Sequence, residues 1–76
     1  MYSLRRLAPG SYDLELDGEV IAGVVRSGER ETTTWHAELL SDDPGTPRPA
    51  PFTDPEHTFP TLEAVLEWLG RPELRI

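Results

Sequence analysis

One stretch, residues 58–70, carries a helical pattern, and everything before Pro44 reads as strand. Leu62, Val65, Leu66 and Leu69 recur at the spacing of one helix face, with Trp68 flanking the stripe and Glu63 and Glu67 on the opposite, wet face. Thr61 is a good N-cap, because its hydroxyl can accept from a free amide of the first turn. Pro60 biases Phe59 to extended geometry, Gly70 suits the left-handed position after a helix, and Pro72 blocks continuation. The pattern predicts a helix over 61–69. A helix that short is marginal alone in water, so it requires a partner surface, which the strands must supply.

The strand signals come in sequence order. Residues 1–10 read as an arm or an edge strand, with Tyr2 and Leu4 alternating with Ser3 and Arg5 before a Pro9-Gly10 turn. From Tyr12 to Asp17 the alternation is clean: Tyr12, Leu14 and Leu16 on one face, Asp13, Glu15 and Asp17 on the other. Asp17-Gly18 is a hairpin signal. Val20 to Val25 is apolar on both faces, which leaves its register open. A two-residue turn pairs Leu14 with Ile21 and sends Val25 inward, and this is the preferred reading. A three-residue turn sends Val20, Ala22 and Val24 inward. Arg26 to Glu31 reads as a polar loop, and Thr32 to Leu40 as the third strand, with Trp35, Ala37 and Leu39 facing the helix and His36 and Glu38 facing away.

Residues 41–57 have loop composition, rich in proline, with Phe52 as the one large apolar anchor. A loop of this length in a compact domain is usually functional or disordered. Residues 71–76 form a tail. The expected fold is therefore α+β in a single domain over 1–76: a three-stranded antiparallel sheet spanning 11–40, with the N-terminal segment as a candidate fourth strand, covered on one face by one C-terminal helix in the order β-β-β-α.

That order resembles, in topology, small nucleic-acid-binding folds such as the double-stranded-RNA-binding-like and integrase arm-binding domains. The resemblance implies basic loops and a basic helix face, whereas this helix presents Glu63 and Glu67. No family is identified from specific residues.

Charge narrows the function classes. The 76 residues carry a net charge of −7. Of the 14 acids, all but Glu73 lie between residues 11 and 70. Affinity for a nucleic-acid backbone comes from neutralising phosphates, so this balance disfavours it; Arg5, Arg6, Arg71 and Arg75 form the alternative basic set. No apolar run approaches the ~20 residues of a membrane span, the basic residues 1–7 lack the apolar core expected of a secretory signal, and the cytoplasm is the expected compartment by default. Cysteine is absent, which removes thiolate and disulfide chemistry.

No catalytic motif stands out, neither a Ser/His/Asp arrangement nor a phosphate-binding glycine loop. Asp54, Glu56 and His57 lie close in sequence, but a metal site needs three or four converging ligands, and turn chemistry accounts for them as well. Neither metal nor cofactor is expected. The candidate binding residues are Asp13, Glu15, His36 and Glu38, on an outer sheet face around Val20, Ala22 and Val24, together with Phe52 in the loop. An open face suits binding better than catalysis, which wants water excluded. The expected function is a small, acidic, non-enzymatic protein-binding module, an inhibitor or decoy for a basic surface. The alternatives are a nucleic-acid-binding accessory domain and self-association as a homodimer through the apolar strip.

Overall fold

The computed structural model describes residues 1–28 and 32–75. The strands are β1 (Tyr2–Ala8), β2 (Ser11–Leu16), β3 (Glu19–Ser27), β4 (Thr34–Leu39), β5 (Glu56–Phe59) and β6 (Glu73–Arg75), with one helix, α1 (Leu62–Trp68), between β5 and β6. All six strands form one sheet in the order β5-β4-β3-β2-β1-β6. Neighbours among β1 to β5 run antiparallel, while β6 lies parallel to β1.

The expectation of a three-stranded sheet under a helix in β-β-β-α order is therefore overturned. The sheet is six-stranded and mixed, and strand accounts for 49% of the described residues against 10% for helix, so the helix is a minor part of the cover. Two strands lay hidden in segments that read as loop and tail. β5 occupies four residues and β6 three, too few for a periodic signal. Each is held by pairing to a distant strand: β6 by the register Ser3 to Glu73, Leu4 to Leu74 and Arg5 to Arg75. β1 is consequently an interior strand rather than an arm or an edge. The topological resemblance to the β-β-β-α nucleic-acid-binding folds falls with the order.

The turn after β2 is the two-residue kind, with Asp17 and Gly18 both at positive φ (51° and 87°) and Leu16 paired with Glu19. The register nevertheless differs from the preferred reading. A bulge between Leu14 and Glu15 and their partners Ala22 and Val20 leaves Ile21 as the extra residue. An extra residue flips every side chain beyond it to the other face. Leu14 therefore faces Ala22, Tyr12 faces Val24, both alanine and valine are fully buried, and Val25 is turned outward at 38% exposure. In the β3–β4 connection, Arg26 and Ser27 extend β3 rather than form loop; Glu29, Arg30 and Glu31 lie outside the described residues.

The core lies on one face, called the inner face. It gathers Leu4, Leu14, Ala22, Val24, Trp35, Ala37, Phe52, Val65 and Leu69. The helix ends are as the sequence implies. The Ala64 amide donates to Thr61 Oγ1 at 3.1 Å. At the other end the Arg71 amide donates to the Leu66 carbonyl and the Gly70 amide to the Glu67 carbonyl, a Schellman pair with Gly70 at φ 83°.

A seven-residue helix is about 10 Å long, and a six-stranded sheet is roughly 24 Å wide. The helix cannot cover the sheet alone. It packs on β4 and β5, and the proline-rich segment 41–55 supplies the rest of the cover as a strap. The strap reaches β1, where the Tyr2 hydroxyl donates to the Ala50 carbonyl at 2.6 Å. It also sinks Phe52 into the core at 4% exposure, edge-on to Trp68 at 4.8 Å between ring centroids.

Candidate binding face

Helix and strap both lie on the inner face, so the outer face of the sheet carries no covering element among the described residues. Strand register fixes what it presents. Arg5, Asp13, Gly23, Glu38 and Glu56 stand opposite one another from β1 to β5 and form one row. A second row runs Ser11, Val25, His36, Thr58. Glu38 and Glu56 are direct cross-strand partners, and like charges so placed repel. No arginine lies within ion-pair distance of either among the described residues. Gly23 sits between Asp13 and Glu38 and makes a shallow dip, since a Cβ there would meet nothing within 4 Å.

Of the residues predicted for this face, Asp13, His36 and Glu38 are brought together on it. Glu15 also points to this side but is only 8% exposed and lies 4.0 Å from the Arg5 guanidinium, so it serves the sheet more than a partner. Phe52 is not on the face at all, because it fills the core beneath the strap. The apolar strip predicted as Val20, Ala22 and Val24 is corrected by the bulge: Ala22 and Val24 are core, and the outward valines are Val20 and Val25, at 39% and 38% exposure. Glu56 joins the face, a placement hidden from sequence reasoning because its strand was not legible.

The four arginines of the alternative basic set do not converge. Arg5 and Arg75 are register neighbours on the outer face, Arg75 lies 3.5 Å from Glu73, and Arg6, opposite Tyr12, belongs to the inner face. Arg71 is held at the helix end by Glu63 at 3.0 Å and by Glu67. Those hydrogen bonds and charges raise its pKa above the ordinary value.

The histidines have different surroundings. The Ser27 hydroxyl and His36 Nε2 are 2.6 Å apart, and His36 Nδ1 lies 3.6 Å from a Glu56 carboxylate oxygen. Serine, imidazole and carboxylate follow in the atom order of a nucleophile, base and orienting acid, an arrangement invisible in the sequence because β3, β4 and β5 each supply one member. The carboxylate is half exposed, its separation exceeds a hydrogen bond, and the trio stands on an open sheet. His57 is on the inner side, where its Nε2 accepts from the Thr53 and Asp54 amides at 3.1 and 3.2 Å and its ring packs on Trp68. Its Nε2 is thus used by backbone. Among the described residues no three histidine or acidic side chains form a group suited to a metal, and no helix is long and apolar enough to cross a membrane.

Comparison with family models, with curated protein sequences and with solved structures finds no match to this chain.

Proposed function

We propose that this protein is a non-enzymatic protein-binding module that lays the outer face of its sheet against a basic surface. The observation that carries the reading is the row Asp13–Gly23–Glu38–Glu56 on a face left uncovered, with two acids directly opposed. A face of this kind costs the free domain some stability through repulsion, and a partner's lysines or arginines relieve it. The dip at Gly23 gives the row a near-flat middle. The sheet edges suit a partner less well: β5 and β6 are short and end in Glu56 and in Glu73 and Arg75, which is how natural sheets discourage strand addition.

The test is quantitative capture on the immobilised protein beside a Glu38→Lys/Glu56→Lys variant, at low and at physiological salt. Partners held by the parent should be released by salt and should not bind the variant. Partners held equally by both, and indifferent to salt, would remove the reading. Gly23→Val offers a second arm, because the side chain has room in the free domain and would stand in the interface; partner affinity should drop with stability unchanged. The non-enzymatic half is tested by a fluorophosphonate probe. No labelling of Ser27 above that of a His36→Gln variant is expected, and His36-dependent labelling would make Ser27 an activated nucleophile and sink that half.

A further inference from the structure

A cleft of about 180 Å³ opens where the β3–β4 end of the sheet meets the strap. Its walls are apolar: Val20, Ile21, Leu39, Leu40, Pro47 and Pro49. Its lining also carries three acids, Glu19, Asp42 and Asp43, with Arg48 beside them. Drug-sized ligands need about 300–1,000 Å³, so the cleft is of a size for one long side chain. Leu40 is 66% exposed and Val20 39%, an apolar lip in an otherwise charged region. Val20 pairs with Glu15 and so belongs to the outer face, which places one lining residue of the cleft beside that face.

The three acids are not equally free. Asp42 is engaged by Arg48, whose Nε and Nη2 donate to its two oxygens at 2.7 and 3.0 Å. Arg48 also donates to the Thr53 carbonyl at 3.0 Å, so this pair fixes the strap wall of the cleft. Glu19 and Asp43 have no ion-pair partner among the described residues. A cleft lined by aliphatic side chains and by two carboxylates without ion-pair partners among the described residues matches a side chain with an apolar stem and a cationic head. Of the two such side chains, arginine offers the planar fork of donors that serves two carboxylates at once.

We infer that the cleft formed by Val20, Ile21, Leu40 and the strap prolines receives a single arginine side chain from the basic partner, with its stem on the apolar walls and its guanidinium between Glu19 and Asp43. The inference rests on the basic-partner reading and names the residue by which that partner is anchored.

The probe is a capped Gly/Ser peptide with one central arginine and a flanking lysine on each side, titrated into the isotope-labelled protein and followed by amide shifts. Shifts at Val20, Ile21 and Leu40 are expected. Replacing the arginine by citrulline, or using Glu19→Gln/Asp43→Asn protein, should weaken binding about tenfold, the effect of losing charge-assisted hydrogen bonds. Glu63→Gln/Glu67→Gln, which removes the same charge from the helix, should leave the titration within about twofold. Equal binding of the citrulline peptide overturns the inference, as does an absence of shifts at the cleft. Shifts confined to Asp13, Glu38 and Glu56 overturn the cleft while supporting the basic-partner reading, so the two can fail separately.

Discussion

The two covers of the inner face, the helix and the strap, solve one problem in different ways. The helix satisfies its own backbone groups and needs the sheet only for its apolar side, where Val65 is fully buried and Leu69 nearly so. The strap has no repeating hydrogen bonds. It is fixed at separate points: Phe52 in the core, Ala50 to Tyr2, Arg48 to Asp42 and Thr53, and the Thr53 and Asp54 amides to His57. A cover made of anchors concentrates its contribution in few side chains, whereas a helix spreads it over a face and two caps.

The comparison is broken most sharply at Phe52. Phe52→Ala should cost about 3–5 kcal/mol, enough to unfold a small domain with a total stability on the order of 5 kcal/mol; chemical denaturation measures it, and Phe52→Leu keeps the comparison readable if the alanine variant does not fold. Val65→Ala should cost roughly 2 kcal/mol in the same assay. A larger loss at Val65 than at Phe52 would mean that the helix, not the strap, is the principal cover. Thr61→Ala, which leaves the Ala64 amide without its acceptor, should cost about 1 kcal/mol, visible as a lower melting temperature. Glu38→Gln, on the uncovered face, should instead stabilise by about 0.5 kcal/mol through relief of the Glu56 repulsion.

The smallest effect is also the most local. Hydrogen bonds from Arg48 hold the Asp42 carboxyl below its ordinary 3.8, against a lesser opposing effect of desolvation. A carboxyl depressed in the folded state contributes stability that is fully present above its unfolded value and lost as pH falls through the folded one. Amide exchange in the strap should therefore quicken as pH drops below 3.8, after correction for the intrinsic rate. Asp42→Asn should show the faster exchange already at neutral pH and lose that acid-dependent step. A strap with the same pH response in both proteins would remove the Arg48 clamp from its anchors.

Sequence legibility followed local chemistry. The helix and its caps were readable because Thr61, Gly70 and the stripe from Leu62 to Leu69 act within a few residues of one another. The β2 alternation and the Asp17-Gly18 turn were readable for the same reason. What failed depended on distant partners. The bulge at Ile21 lies in the pairing of β3 with β2, and no residue near it announces the slip. β5 and β6 exist because β4 and β1 offer edges to them. Phe52 was singled out as an anchor but assigned to a partner, since nothing local shows that a long proline-rich segment folds back under the sheet. Of the proposed face, Asp13, His36 and Glu38 were legible through alternation alone, while Glu56 and the Ser27–His36 contact required the strand order.

The parallel pairing of β6 with β1 has a further meaning when the protein is viewed as it is synthesised. Tyr2–Ala8 emerges first and Glu73–Arg75 last among the strands, yet they lie side by side. The hairpins from β1 to β4 can form while the chain is still growing, but the free edge of β1 has no mate until β6 has left the ribosome. During that interval the nascent sheet presents Leu4 and its backbone groups to whatever is nearby, which makes the last strand a late seal on the earliest one. Contacts of such sequence separation slow folding, and the β1–β6 pair is the most widely separated in the sheet.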